Sequence, residues 1–307
     1  MKIYLNAANE SWVVDRFRSE WTNFNKELTT ESIEEADIVW LIAPWVWKKI
    51  PRKQLKEKLV ICTIHHIDFD KFNKKEEKNF YKRDEFVDMY HSISDKTSES
   101  IKAITKKNIT TIPFWINQNI YYKIHDQKKV RKKYDLNTES YFIGSFQRDT
   151  EGNDLISPKI SKGPDRLVKI FKYHYEKNRN VEILLTGKRR NYIIDELNKL
   201  KIPYKYFEMV NFSQLNELYN CLNLYVVASR VEGGPQAVME CAITKTPIIS
   251  TDVGIASKIL DQKSIFTMEN FDSATADTEY AYSKSINYRI PDWFNQYEKL
   301  FGGLLSK

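Results

Sequence analysis

The chain alternates, twice over, between short apolar runs of strand length and longer stretches with helical periodicity. In the first half the runs are KIYLNA near the start, DIVWLIA at 37–43, KLVICTIHH at 58–66, then MYHSIS and NITTIPFWI, ending at residue 116. A second series begins with SYFIGSF at 140–146 and continues through VEILLTG at 181–187, LNLYVVAS at 222–229 and TPIIST at 246–251. Runs this short and this apolar suit strands covered on both faces. Between them lie helical patterns such as RLVKIFKYHYEK and SQLNELYNCL. Strands alternating with helices specify parallel sheets of the doubly wound kind, and two series specify two sheets. A length of 307 residues accommodates two ordinary domains. The polar, basic stretch 123–139 has no strand signal and is the expected join. Ligands of such folds sit in a cleft at the carboxyl ends of the strands, so motifs are sought there.

Composition narrows the class. Apolar residues at 42% and charged residues at 29% fit a soluble globular protein. The start, MKIYLNAANE, lacks the apolar core of a signal peptide, and no apolar run approaches the roughly 20 residues that cross a bilayer. Cys62, Cys221 and Cys241 each sit in or beside an apolar stretch and lack metal-ligand spacing, as buried free thiols do. A reducing cytoplasm is the expected compartment. The net charge of +7 is compatible with acidic small molecules, nucleic acid or an anionic membrane surface, and does not choose among them.

The most informative stretch is SRVEGGPQAVME at 229–240. It follows the strand LNLYVVAS and leads into the helix PQAVMECAIT. Pro235 suits the first helical position, where a missing N–H costs nothing. Gly233 and Gly234 let backbone amides approach a ligand closely. Amides at the positive end of a helix make an anion site suited to phosphate. A carboxylate beside such a site needs something other than phosphate to bind. Glu232 is placed to accept hydrogen bonds from sugar hydroxyls. Glu240, roughly 8 Å along the helix, is placed for ribose hydroxyls. The stretch reads as a grip on a sugar, a diphosphate and a ribose together.

With these residues in place, the sequence resembles the family 4 retaining glycosyltransferases of the GT-B fold. It keeps Ser229, Glu232, Gly233, Glu240, Pro247, Asp252 and Gly254 of that family's pattern. It departs from it with Pro235 for a common Gly, Cys241 for Ala, Lys245-Thr246 at a Gly-containing step and Ile255 for a second Gly. Upstream, FIGSFQRD and KISKGPDRLVKIF resemble the family's Gly-x-x-x-Lys-Gly segment, split by an insertion at 149–161. The resemblance implies that Arg148 and Lys162 neutralise the donor diphosphate, whose charge grows as the glycosidic bond breaks. The middle segment, with Gly187, resembles the part whose loops cradle the nucleobase. Ser229, Gly233, Gly234, Pro235, Gln236 and Ala237 would line the donor site together with Glu232 and Glu240.

The first half resembles the family more loosely and is short for it. VICTIHH looks like the family's strand ending in histidine near the donor sugar. His65 matches by position, with His66 its neighbour, and on an extended strand only one of the two faces the cleft. The family's glycine-rich first loop is replaced by NAANESW, where Asn6, Asn9 and Ser11 are candidate donors. The tail RIPDWFNQYEKLFGGLL resembles a final helix that crosses back onto the first domain. The resemblance thus implies an α/β protein with two Rossmann-like domains, their parallel sheets facing a central cleft. The expected domains are a short acceptor domain at 1–127, a nucleotide-sugar domain at 138–284 and a returning helix at 285–307.

Two further features have competing readings. Asp68-Phe69-Asp70 has the form of an Asp-x-Asp that holds Mg²⁺ or Mn²⁺ on nucleotide sugars in GT-A enzymes. It also reads as a loop entering a charged helix capped by an aspartate. In APWVWKKIPRKQLKEK at 43–58, Trp45 and Trp47 precede six Lys or Arg and one acid. A solvated basic helix beside core tryptophans is the first reading. Peripheral contact with an anionic membrane carrying a lipid-linked acceptor is the second. The same charge would serve an acidic glycan. Nucleic acid lacks any recognised motif here, and no dinucleotide or P-loop fingerprint is present.

The function expected is therefore transfer of a sugar from a nucleotide-sugar donor to a glycan, lipid-linked or other hydroxyl acceptor. By resemblance it is retaining and metal-independent, with no resident cofactor and a UDP- or GDP-sugar as substrate. His65, Glu232, Arg148 and Lys162 would do the chemistry. The rivals are a 2-epimerase-like isomerase of nucleotide sugars and a non-catalytic nucleotide-sugar-binding subunit.

Overall fold

The computed structural model describes residues 1–10 and 13–306. The chain divides into two compact units, Met1–Trp115 with Ile290–Lys307, and Ile116–Arg289. In the first unit β1 (Ile3–Leu5), α1 (Val13–Phe24), β2 (Ile38–Leu41), α2 (Arg52–Glu57) and β3 (Leu59–Ile64) follow one another. They lead into α3 (Lys74–Asp84), β4 (Met89–Ser92), α4 (Asp95–Lys102) and β5 (Asn108–Thr111). The second unit opens with α5 (Gln127–Lys133), β6 (Tyr141–Ser145), α6 (Pro164–Lys177), β7 (Val181–Thr186), α7 (Asn191–Leu200) and β8 (Tyr204–Phe207). It continues with α8 (Phe212–Asn220), β9 (Leu224–Val227), α9 (Gln236–Thr244), β10 (Ile248–Thr251), α10 (Ala256–Ile259), β11 (Ile265–Phe266) and α11 (Thr278–Ser285). The last helix, α12 (Phe294–Leu305), belongs to the first unit again. The basic stretch read as a join contains α5 and lies within the second unit, as do residues 116–127.

The first unit's sheet is parallel with strands in sequential order, β1-β2-β3-β4-β5, and Ile3 pairs with Ile38. A small detail sets its layering. After α1, Thr29 bridges to Ile3 on the free edge of β1, and Thr30 N donates to Ile3 O at 3.0 Å. The chain therefore steps outward from β1 before returning to β2. Right-handed crossovers in opposite directions put their helices on opposite faces. Accordingly Val14, Phe17 and Trp21 of α1 pack on Ile3, Leu5, Ile38 and Trp40. Leu55, Phe80 and Ile101 of α2, α3 and α4 pack on Val39, Leu41, Val60 and Cys62. Alternate residues of β2 serve the two faces, as strand pleating requires. α12 completes the α1 face. Its Phe294 and Phe301 meet the Trp21 ring edge-on, each with centroids 5.4 Å away.

Three buried polar groups cross this aromatic layer as one relay. Trp40 Nε1 donates to Thr63 Oγ1 at 2.8 Å, Thr63 Oγ1 lies 2.9 Å from His91 Nδ1, and His91 Nε2 lies 2.8 Å from Ile112 O. The Ile112 carbonyl only accepts, so Nε2 carries the proton and Nδ1 accepts from the threonine. His91 is neutral, and burial pushes its pKa down to about 4.

The second unit's sheet runs β11-β10-β9-β6-β7-β8, all parallel. From β6 the chain winds outward through β7 to β8, then starts again on the other side at β9. The winding thus reverses between β6 and β9, and the carboxyl ends of these strands are where a doubly wound sheet holds its ligand. α9 has seven of its nine residues buried, Glu240 and Thr244 among them, so the helix is enclosed by its own domain. The edge strands β8 and β11 have no counterpart among the expected runs. β8 is only partly buried along its length and β11 is two residues long.

The His91 relay predicts a pH dependence. The unfolded chain binds this proton below about 6.5 and the folded one only below about 4, so in that window the unfolded state holds the extra proton. Stability is complete above the window and falls as pH drops through it, by on the order of 3 kcal/mol from this group. Urea unfolding at pH 7 and at pH 4.5 should give a smaller loss for His91→Gln than for wild type. Equal losses would remove His91 from the account.

Candidate functional site

The site starts from one glycine. Gly163, between the 3-10 turn Ile160–Lys162 and α6, has φ +64° and lies against the end of β9. A Cβ there would stand 2.0 Å from Ala228 O. The contact is sealed by Arg230 N and Val231 N, which donate to Ser161 O at 2.8 and 3.1 Å. Arg230 also clasps Asp165 with two bonds of 2.7 Å. Held this way, Lys162 Nζ forms an ion pair with Glu232 Oε1, and Ser229 Oγ donates to the same oxygen at 3.1 Å. Gln147, just after β6, donates from Nε2 to Lys162 O at 2.9 Å. Lys162, Ser229 and Glu232 thus meet at the reversal between β6 and β9. The Glu232 and Lys162 side chains are only 8% and 18% exposed, which makes their attraction stronger than at an open surface.

The turn that follows is shaped by a second close approach. Gly254 has φ +53°, and a Cβ on it would lie 2.2 Å from Gly233 O. Pro235 is the N-cap of α9 and not its first helical residue, a one-residue correction; its carbonyl accepts from Val238 N at 2.9 Å. The amides of Gly233, Gly234 and Ala237 have no backbone acceptor among the described residues, and Gln236 opens the helix beside them. Glu240, 4% exposed, accepts from Tyr219 OH at 2.8 Å. Burial and the neighbouring Glu240 carboxylate keep that phenol protonated, far above its ordinary range. Sequence reasoning missed Tyr219, which an apolar helix pattern marks only as core.

Other expected residues stand further apart. Arg148 is half-buried in the loop after β6. Gly187, with φ +90°, ends β7, and its carbonyl accepts from Tyr206 OH at 2.9 Å. Next to Arg148 the structure holds a pair that sequence reasoning did not single out. Arg190, fully buried, donates from Nε to Asp149 Oδ2 at 2.9 Å and from Nη1 to Ser145 O at 2.7 Å. Burial lifts Asp149 to about 6 against the pull of Arg190, so at neutral pH it remains a carboxylate. The pair ties the loop after β6 to the loop after β7. The insertion at 149–161 is a short hairpin, with Thr150 bridged to Pro158.

In the first unit, β3 ends at Ile64, and His65 turns inward while His66 is exposed. His65 Nε2 lies 2.9 Å from Ile42 O, so it carries the proton and leaves Nδ1 as an acceptor. Burial lowers its pKa to about 4 and keeps the ring neutral at pH 7. Asn6, after β1, bonds both ways with Ala43, at 2.8 and 3.0 Å. Asn9 is exposed, and Ser11 lies outside the described residues. Asp68 and Asp70 occupy the loop before α3, whose cap is Asn73 and not an aspartate. Trp47 is core, whereas Trp45 is 46% exposed. Among the described residues no group of three or more His, Cys, Asp or Glu is placed to hold a metal, and no helix is long and apolar enough to cross a membrane.

The two parallel sheets, five and six strands, are the two Rossmann-like domains of a GT-B fold. Residues 155–279 match the family model described as Glycosyl transferases group 1, a stretch within the second unit. Together the match and the fold support a GT-B glycosyltransferase. HepE from Anabaena, in complex with UDP, superposes with a TM-score of 0.76 at 11% identity, covering 99% of this chain and 100% of that one. Its complex with UDP-glucose gives 0.77 at 11% identity over 98% and 99% of the chains. Sucrose-phosphate synthase from Thermosynechococcus elongatus gives 0.69 at 15% identity over 95% and 77%. No curated protein sequence matches the chain significantly.

The Lys162–Glu232 pair predicts an asymmetric mutational cycle. Lys162→Met strands a buried carboxylate and should cost about 3 kcal/mol in chemical denaturation. Adding Glu232→Gln to that variant should recover part of the loss, because no unpaired charge then remains. Additive losses in the double variant would mean that the two side chains are not coupled.

Proposed function

We propose that this protein is a retaining, metal-independent glycosyltransferase that moves a sugar from a nucleotide-sugar donor to a hydroxyl of a glycan or lipid-linked acceptor. The observation that carries the reading is the meeting of Lys162, Ser229 and Glu232 at the winding reversal of the second sheet, directly before the Gly233-Gly234 turn and α9. A cation, backbone amides at a helix start and a carboxylate offer one partner each to a diphosphate and a sugar.

In this reading the amides of Gly233 to Ala237, Pro235 apart, and the cations of Lys162 and Arg148 hold the diphosphate. Glu232 orients hydroxyls of the transferred sugar. Glu240, already fixed by Tyr219, takes the ribose, and the Gly187 loop flanks the base. His65 contributes a neutral acceptor nitrogen, Nδ1, toward a sugar hydroxyl. The bond from the anomeric carbon to the diphosphate oxygen breaks, and a bond to the acceptor oxygen forms on the same face. The acceptor's proton passes to the departing diphosphate, so no protein nucleophile is needed. That HepE is seen with UDP and UDP-glucose favours UDP sugars for the first trial. The three buried free thiols suit a reducing cytoplasm.

Thermal unfolding with UDP-, GDP-, ADP- and CMP-sugars in EDTA tests the donor site. A bound donor at about 100 times its Kd should add roughly 2.7 kcal/mol, and Glu240→Ala should abolish the gain. Proton NMR of the product should find the donor's anomeric configuration kept. Stabilisation that appears only with Mn²⁺ would move the donor site to Asp68 and Asp70, and an inverted product would overturn retention.

A further inference from the structure

Of the described tryptophans Trp45 alone is exposed, and it is not loose. It sits after β2, on the carboxyl edge of the first sheet. Its indole Nε1 donates to Glu10 Oε1 at 2.9 Å. On its other side the ring meets His65, with centroids 5.6 Å apart, and His65 in turn stacks on Phe114 at 5.7 Å. Phe114 is 2% exposed and stacks on Phe17 at 4.1 Å. A file of rings therefore runs from the aromatic core to solvent and ends on the open indole.

An aromatic ring fixed in water at both edges costs little further entropy when a ligand settles on it. Two acceptors flank it. Glu10 Oε2 and His65 Nδ1 have no partner among the described residues. A pyranose fits this set: its face of C–H groups covers the indole while a hydroxyl at its rim donates to the Glu10 carboxylate. An anionic lipid surface fits poorly, because Glu10 places a negative charge at the ring. The phosphates of a nucleotide meet the same repulsion.

We infer that Trp45 and Glu10 form the acceptor platform, and that the acceptor presents a neutral pyranose. This rests on the proposed glycosyl transfer and names the class of molecule that receives the sugar. Trp45 acts here as a specificity-determining residue, in contact with the acceptor and not with the donor.

The test uses the whole protein and four probes, methyl α-glucoside, methyl β-galactoside, methyl N-acetyl-β-glucosaminide and cellobiose. Binding is read by saturation-transfer NMR, and UDP stabilisation is measured in parallel. At least one probe should bind wild type. Trp45→Ala should weaken that binding tenfold or more, Glu10→Gln by a smaller factor, and Trp45→Phe should restore most of it. UDP stabilisation should be the same in all four proteins, since Trp45 and Glu10 belong to the other unit. A probe that binds Trp45→Ala as well as wild type overturns the platform, as does failure of every probe to bind wild type. Trp45-dependent partition onto phosphatidylglycerol vesicles in place of saccharide binding also overturns it. Loss of UDP stabilisation in wild type would sink the donor reading, a separate failure.

Discussion

The close passage of Gly163 beneath the carbonyl of Ala228 is the contact on which the second unit's site depends. Every side chain longer than hydrogen at that position strikes the main chain at Ala228, just past β9. With hydrogen there, the turn before α6 closes on the strand end and Ser161 receives two amides from the loop beyond. Lys162 then has little choice of direction. It meets Glu232 where water is largely excluded, and the two charges stabilise each other in a medium where either alone would be costly. Gly254 repeats the device one strand over, allowing β10's loop to press on the Gly233-Gly234 turn.

The two units offer contrasting chemistry at their strand ends. In the second, charged groups are fixed in pairs: Lys162 with Glu232, Arg230 with Asp165, Arg190 with Asp149. In the first, the corresponding edge has a neutral imidazole, an open indole and an asparagine spent on the backbone of Ala43. Paired charges suit a ligand whose own charge changes during reaction, since the fixed partners need no reorganisation. An edge with a single carboxylate, Glu10, beside an indole and a neutral imidazole suits a ligand recognised by hydroxyls and a hydrocarbon face.

Much of this was legible in the residues. Each apolar run of buried-strand length became a strand, and strands covered on both faces, such as β2 and β9, have no polar positions to blur the signal. The same rule explains the misses. β8, Tyr-Lys-Tyr-Phe, is an edge strand only partly buried along its length, and β11 is too short to carry a pattern. The Lys162-Gly163 step was visible as a motif because its left-handed turn, pressed against Ala228, demands glycine, and the Glu232-Gly233 step because it lies between a strand and a helix. Tyr219 against Glu240 and Arg190 against Asp149 were not, because such partners are set by the packing of elements 21 and 41 residues apart in sequence. Trp45 and Trp47 differ by two residues and have opposite fates, core and solvent, which periodicity inside a 3-10 turn does not resolve.

The cysteines have a consequence of a different kind. Cys62 lies in the middle of the first sheet, while Cys221 and Cys241 are enclosed in the second unit, all fully buried, and burial raises each thiol well above its ordinary pKa. In the native state none offers a thiolate to a reagent. Alkylation therefore becomes a clock for breathing: a label on Cys62 times the opening of one unit, and labels on the other two time the opening of its neighbour. The chain carries its own separate reporters of local unfolding, with no probe to be engineered in.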